Sequence, residues 1–199
     1  MSKELDRVAF IGLGVMGYPM AGHLANSGKA VTVYNRTTAK AEQWLSEYAG
    51  GGECAVATTP KAAATGADVV FMCVGNDDDV RSVALGSDGA LAGMAAGSVL
   101  VDHTTASQQL AVELGAACAA ADVRFLDAPV SGGQAGAENG ALTIMLGGSE
   151  VDYHSVQGLL DVYAKKSALM GPIGAGQLTK MVNQICIAGI LQGLSLIHI

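Results

Sequence analysis

Residues 8–17 read VAFIGLGVMG, an apolar run that ends in three spaced glycines. The spacing fits G-x-G-x-x-G between a strand and a helix, which predicts a dinucleotide-binding turn. One glycine makes the tight turn, one lets the backbone approach a pyrophosphate, and one packs the helix on the strand. The alternative is a purely structural turn. The predicted cofactor-binding loop consists of Gly12, Leu13, Gly14, Val15, Met16 and Gly17.

Strand-like runs alternate with helix-like runs after this turn. The apolar runs AVTVYNRT, DVVFMCVG, GSVLVDHT, VRFLDAPV and LTIMLGG are mostly separated by alanine-rich segments. This alternation predicts an α/β fold, a Rossmann-like doubly wound parallel sheet. From Gln177 onward the apolar period is helical, which predicts the first helix of an all-α domain. We place the boundary within residues 166–174, giving an NAD(P)-binding Rossmann domain at 1–168 and the start of a helical C-terminal domain at 169–199.

The composition excludes several classes of partner. The formal net charge of −7 disfavours nucleic acid and anionic membrane surfaces. Four scattered cysteines without a CxxC pair indicate reduced thiols and a cytoplasmic protein. The terminal run QICIAGILQGLSLIHI is apolar, but its polar interruptions make it a poor membrane span. Neither the histidines nor the acidic run at 77–79 has metal-ligand spacing, so we expect no metal site.

The end of the second predicted strand bears on cofactor choice. In this fold a carboxylate there would hold the adenosine ribose 2′-hydroxyl and repel a 2′-phosphate. The sequence instead has Asn35, Arg36 and Thr37, and the arginine can pair with phosphate. We therefore expect these three residues to bind the cofactor, with NADP preferred and NAD possible. A solvated arginine at a strand end is the alternative.

A lysine interrupts the apolar C-terminal helix. Lys180 and Asn183 are three residues apart, and Gly176 precedes them by one turn on that face, so we expect it to leave room for an approaching molecule. A lysine with a lowered pKa can exchange the proton of a substrate hydroxyl, and a neighbouring amide can orient the oxygen. A solvated helix face is the alternative.

Four segments in order make the chain resemble the β-hydroxyacid dehydrogenases, the 3-hydroxyisobutyrate dehydrogenases and their relatives. They are FIGLGVMGYPMAGHL, VDHTTAS, DAPVSGGQAGAENGALTIMLGG and GAGQLTKMVNQ. The resemblance implies an NAD(P)-dependent oxidoreductase that moves a hydride between nicotinamide and a small 3-hydroxy acid or semialdehyde acid. Candidate substrates are of the 3-hydroxyisobutyrate, tartronate semialdehyde and succinic semialdehyde types. It also implies a homo-oligomer for the full-length protein.

The resemblance assigns roles by position. Lys180 matches the catalytic lysine and Asn183 the amide that orients the substrate. The loop that holds the substrate carboxylate matches Ser131, Gly132 and Gly133. Cofactor-lining positions match Cys73, Val74, Asp78 and Thr105. Core packing is the alternative for Cys73, and His103, beside the cleft, is a minor catalytic candidate.

The resemblance weakens at the C-terminus. Relatives continue through a helical domain of roughly a hundred residues, whereas this chain ends in LIHI at 196–199. We expect those four residues to be non-native sequence on a C-terminally truncated chain. The alternatives to a dehydrogenase of this family are a 6-phosphogluconate dehydrogenase, disfavoured by NQI after the lysine, and an imine reductase, disfavoured by the lysine itself. A non-catalytic NADP-binding fragment or module is the third.

Overall fold

The computed structural model describes residues 5–199 and has helices on both faces of one twisted sheet. The strands are β1 Arg7–Ile11, β2 Ala30–Tyr34, β3 Cys54–Val56, β4 Val69–Met72, β5 Val99–Asp102, β6 Arg124–Asp127, β7 Val130–Ser131, β8 Leu142–Gly147 and β9 Ala164–Gly171. The helices are α1 Gly17–Asn26, α2 Thr38–Tyr48, α3 Pro60–Ala64, α4 Asp77–Leu85, α5 Gln108–Ala120, α6 Gly133–Glu138, α7 Glu150–Leu160 and α8 Ala175–His198. A short 3-10 turn occupies Ala90–Gly93.

The first six strands form a parallel sheet in the spatial order β3-β2-β1-β4-β5-β6, and all of them except the three-residue β3 were predicted. This arrangement confirms the Rossmann-like fold. The chain leaves β1 in one direction to form β2 and β3, and returns to add β4 on the other side. That reversal creates a crevice at the carboxyl ends of β1 and β4, where ligands bind in such sheets.

The far edge of the sheet is mixed rather than parallel. Strand β8 runs antiparallel to β6 and β7, and β9 then pairs parallel to β8. Only the six-residue α6 lies in the connection from β7 to β8, which is short for a parallel crossover. Strand β9 was not predicted, and it runs through residue 168 to Gly171. The last strand therefore ends beyond the predicted division at 168, and the two-domain division itself stays a prediction.

The central strands are buried on both faces because helices cover the sheet on each side. Phe10 and Ile11 are adjacent in β1, yet they belong to two different apolar clusters, one per face. Trp44 of α2 is fully buried in the first cluster, and Leu110 of α5 is fully buried in the second. This packing fixes the strand ends and the loops that follow them.

Helix α8 is 24 residues long and changes its surroundings along its length. Its first turn packs against β8 and β9, whereas the later turns project from the sheet. By length and composition alone α8 could cross a membrane. The sequence-based expectation of a poor membrane span considered only the last 16 residues of the chain. Large apolar side chains exposed on it include Met181, Val182, Ile185, Ile190, Leu191 and Leu194.

Candidate functional site

The glycine turn has the geometry that its spacing predicts. Gly12 has a φ of +95°, and a Cβ there would collide with the Cys73 carbonyl. A Cβ at Gly17 would collide with the Gly12 carbonyl, so this glycine packs α1 on the turn. At Gly14 a Cβ would meet nothing within 4 Å, which leaves the backbone open to an approaching group. The three glycines thus serve three different purposes.

A cavity of about 480 Å³ opens above this turn, at the reversal point of the sheet. Ten of the thirteen predicted cofactor residues line it. Gly17 lies beneath the turn, whereas Asp78 and Thr105 lie outside the cavity. The predicted residues that line it are Gly12, Leu13, Gly14, Val15, Met16, Asn35, Arg36, Thr37, Cys73 and Val74.

The N-terminus of α1 faces this region. Within the described part of the chain, no side chain caps α1, which begins at Gly17 after Met16. Helix N-termini carry unpaired N–H groups and a partial positive charge, so they favour bound phosphate. The cavity and the uncapped helix together fit the diphosphate of a dinucleotide.

Asn35 joins the two loops at the mouth of the cavity. Its Oδ1 accepts a hydrogen bond from the Leu13 N–H at 3.0 Å, and its Nδ2 donates to the Thr37 carbonyl at 3.1 Å. Leu13 is fully buried, and its N–H is already bonded to Asn35. Asn35 therefore acts on a ligand mainly by holding the glycine turn in place.

Arg36 is the exposed cation at the cavity rim. Its side chain is 87% exposed, and Nη1 lies 3.3 Å from Asp79 Oδ1. An exposed ion pair of this kind is weak, so the guanidinium can exchange its partner for a phosphate. Lys40 also lines the cavity, and the sequence reasoning missed it. Its place one turn into the helix after Arg36 was a usable signal.

The three aspartates at the start of α4 have different surroundings. Asp77 accepts hydrogen bonds from the Ser107 N–H and hydroxyl, which lower the pKa of its carboxyl. Asp78, predicted to approach the cofactor, is 97% exposed and lies 3.5 Å from Arg81 Nη1. Its neighbour Asp79 lines the cavity instead. Within residues 5–199 no group of three or more His, Cys, Asp or Glu could hold a metal.

Lys180 lies against the predicted substrate loop. Its Nζ donates a 2.7 Å hydrogen bond to the carbonyl of Val130, the residue before Ser131. Burial lowers the pKa of Lys180 below its ordinary value. Gly132 and Gly133 follow with positive φ angles of 139° and 62°, a conformation that favours glycine. Helix α8 and strand β7 therefore bring the lysine and the glycine loop together.

Asn183 carries an unpaired donor on the same helix face. Its Nδ2 is buried and has no hydrogen-bond partner within residues 5–199. A buried unpaired amide costs free energy that a bound acceptor would recover. It lies three residues after Lys180, so both side chains project from one face of α8.

Two sequence-based expectations, one for Gly176 and one for His103, are wrong. Gly176 does not leave room for a substrate, because a Cβ there would collide with the Met145 carbonyl and with Asp127. This glycine allows α8 to pack closely on the sheet.

His103 is buried rather than open to the cleft, with Nδ1 2.7 Å from the Ala128 oxygen and Nε2 2.9 Å from the Tyr163 hydroxyl. Burial lowers the pKa of His103 to about 4, so the neutral ring is a core element. Burial likewise raises the pKa of the Cys73 thiol to about 12, which fits packing and not reactivity.

Gln177 and Asp127 were not singled out from the sequence. Asp127 is fully buried and accepts hydrogen bonds from the N–H groups of Gly174 and Gln177 at 2.6 and 2.9 Å. The side chain of Gln177 bonds to the loop that carries Thr105, whose own side chain is exposed. Helix α8 contains four side-chain amides, so the sequence offered no signal that singles out Gln177.

The comparisons with known proteins agree with this geometry. Residues 7–171 match the family model described as the NAD binding domain of 6-phosphogluconate dehydrogenase. An uncharacterized oxidoreductase of Shewanella frigidimarina is 60% identical over 96% of this chain and 64% of its own length. A probable 3-hydroxyisobutyrate dehydrogenase-like protein of Arabidopsis thaliana is 43% identical over 94% of this chain and 55% of its own length.

A solved structure gives the same result for the fold. The 3-hydroxyisobutyrate dehydrogenase of Mycobacterium tuberculosis, determined with L-serine, aligns with a TM-score of 0.85 and 31% identity. The alignment covers 93% of this chain and 61% of that protein. The chain thus spans less than two thirds of the length of these relatives. It belongs to the family defined by the NAD binding domain of 6-phosphogluconate dehydrogenase, and its relatives there include the 3-hydroxyisobutyrate dehydrogenase-like oxidoreductases.

Proposed function

We propose that the protein is an NAD(P)-dependent oxidoreductase that acts on a small 3-hydroxy acid or the corresponding semialdehyde acid. The observation that carries the proposal is the contact of Lys180 with the Val130 carbonyl, directly before the Ser131–Gly133 loop. It puts a partly desolvated amine beside a loop suited to a carboxylate. Both lie at the carboxyl edge of a sheet whose family binds NAD.

Lys180 exchanges the proton of the reacting oxygen. Its lowered pKa brings the neutral amine closer to working pH, where a general base or acid is most effective. The unpaired Nδ2 of Asn183 donates to that oxygen and orients it. The Ser131 hydroxyl and the backbone N–H groups of Gly132 and Gly133 hold the substrate carboxylate, as consecutive N–H groups hold anions elsewhere.

The cofactor binds in the cavity above the glycine turn, and when bound it accepts or supplies the hydride. Gly12–Gly17 would receive the diphosphate, Cys73 and Val74 line the cavity beside that turn, and Thr105, outside the cavity, would hold the nicotinamide ribose. We propose NADP as the preferred cofactor because Arg36 and Lys40 line the adenosine end. Asp79 opposes this preference by occupying the guanidinium. Asp78 is not assigned a role.

Other properties of the full-length protein follow the same proposal. The substrate is of the 3-hydroxyisobutyrate, tartronate semialdehyde or succinic semialdehyde type, and L-serine joins the panel because the M. tuberculosis relative was determined with it. We also propose a cytoplasmic homo-oligomer without nucleic-acid or membrane partners. The exposed apolar side of α8 suits coverage by further protein.

The direct test of the cofactor assignment is a calorimetric titration of the purified chain with NADPH and NADH in parallel. We expect NADPH to bind at least about tenfold more tightly, a difference of about 1.4 kcal/mol. Arg36→Ala should remove most of that difference, and Arg81→Ala, which removes an arginine of α4 that does not line the cavity, is the matched control. Equal affinity for both cofactors in the unaltered chain would refute the NADP preference.

A second candidate is a non-catalytic NADP-binding module. It requires only the cavity above the glycine turn, which ten of the predicted cofactor residues line. Binding of NADPH without any turnover of the substrate panel would select this candidate. Turnover that depends on Lys180 would exclude it.

A further inference from the structure

Gln177 is the buried amide of α8, and it is 1% exposed. Its Nε2 donates to the Thr104 carbonyl at 2.7 Å, and its Oε1 accepts from the Ala106 N–H at 3.1 Å. Its own N–H donates to Asp127 Oδ2 at 2.9 Å. The Gln177 side chain therefore hydrogen-bonds to the backbone on both sides of Thr105, and the Gln177 backbone is bonded to Asp127 at the end of β6.

The loop that Gln177 contacts is hydrogen-bonded in turn to a residue of the cofactor cavity. The Thr104 hydroxyl accepts a hydrogen bond from the Val74 N–H at 3.1 Å, and Val74 lines that cavity. Hydrogen bonds thus run without interruption from the turn after β4, through the loop after β5, to the start of α8. Lys180 lies three residues beyond Gln177 on the same helix.

We propose that Gln177 is a positioning residue that sets the register between the Lys180 helix and the Thr104–Ala106 loop beside the nicotinamide. The inference rests on the proposed function, because it requires a bound nicotinamide at that loop. Gln177 touches neither substrate nor reacting atoms. It acts by holding Thr105 and Lys180 at a fixed separation, which hydride transfer at the substrate carbon and proton transfer at its oxygen require.

The chemistry of the amide explains why this residue type is needed. The loop presents one acceptor and one donor, the Thr104 carbonyl and the Ala106 N–H, and only a neutral side chain with both functions satisfies them. Leucine would leave both groups buried and unpaired. An ionised glutamate would accept from Ala106 but repel the Thr104 carbonyl. The nearby carboxylate of Asp127 opposes its ionisation, whereas Asp102, the other acidic group at this loop, holds its proton up to about pH 7.

The test compares two ligands on the full chain by calorimetry. NADPH reaches the nicotinamide half of the site, whereas adenosine 2′,5′-bisphosphate occupies only the adenosine end. Gln177→Leu should weaken NADPH binding about tenfold and change the affinity for the bisphosphate less than about twofold. Gln192→Leu is the matched control, since it makes the same change at an exposed position of α8.

Gln177→Glu supplies the readout that a merely structural role would not give. The protonated carboxyl can donate to the Thr104 carbonyl, so NADPH affinity should recover as the pH falls, relative to the unaltered chain at each pH. Parallel loss of both ligands in both variants would overturn the inference and show general damage to the fold. NADPH affinity unchanged in both variants would also overturn it. Failure of the unaltered chain to bind NADPH would refute the proposed function, and the inference with it.

Discussion

Replacing Asp102 by asparagine should raise the free energy of unfolding relative to that of the unaltered chain, and this gain should grow as the pH rises. Asp102 ends β5, is 2% exposed, and its Oδ1 accepts from the Thr104 N–H at 2.9 Å. Burial is the main cause that raises its pKa from 3.8 to about 7, with the nearby carboxylate of Asp127 adding to it. Asparagine keeps the acceptor and nearly the same shape, so the substitution mainly removes the ionisation.

The magnitude follows from the displaced titration. The folded protein holds the Asp102 proton up to about pH 7, whereas the unfolded chain releases it near 3.8. Asp102 therefore contributes a loss of stability as the pH rises from about 4 to 7, because folding opposes its ionisation. A shift of this size corresponds to about 4 kcal/mol, at roughly 1.4 kcal/mol per pKa unit.

Urea unfolding measured at several pH values between 4 and 7 provides the assay. The free energy of unfolding of Asp102→Asn, minus that of the unaltered chain, should increase by about 4 kcal/mol across this range. Asp161→Asn, the same substitution at an exposed position after α7, is the control. A difference for Asp102→Asn that does not change with pH would refute the assignment of a buried, proton-holding carboxyl.

Three further predictions use the same chain. His103, whose pKa burial lowers to about 4, should contribute a loss of about 3 kcal/mol of stability as the pH falls from 6.5 to 4. In urea unfolding, the free energy of His103→Gln minus that of the unaltered chain should rise by this amount over the same range, and a difference that does not change with pH would contradict it. Asp79→Asn should strengthen NADPH binding about threefold by freeing Arg36; calorimetry showing an equal gain for NADH would argue against a phosphate contact. Gly176→Ala should destabilise the fold by about 1–3 kcal/mol through overpacking, whereas Gly189→Ala, where a Cβ meets nothing within 4 Å, should not; equal melting temperatures of the two variants would contradict the packing role.

Local pattern predicted the first part of the fold well. The strand, turn and helix around Gly12 are encoded within a few residues, and the alternation of apolar strands and helices defines the parallel sheet. Strand β9 escaped because its edge position tolerates Lys165 and Lys166, which break the apolar pattern. The antiparallel pairing of β8 depends on contacts between distant segments, which no local pattern encodes.

Some residues of the site could likewise be predicted from local sequence, whereas others depend on tertiary packing. The cavity residues of the glycine turn and of 35–37 could be found from motif spacing, because a strand–turn–helix unit positions them. Whether Asp78 or Asp79 faces the cavity depends on how α4 is rotated about its axis, and the N-cap Asn76 sets that rotation. The sequence does not fix the first residue of α4 closely enough to decide between two adjacent aspartates. The role of Gly176 depends on how closely α8 approaches the sheet, and this distance is a tertiary property.

The measurement closest to the central claim is turnover of the hydroxy-acid panel by the unaltered chain, Lys180→Ala and Lys180→Arg, with NADPH affinity determined in parallel. Arginine keeps the positive charge but cannot release its proton at working pH. We expect both variants to lose at least about 100-fold in turnover while binding NADPH as the unaltered chain does. Undiminished turnover in either variant would contradict proton exchange by Lys180.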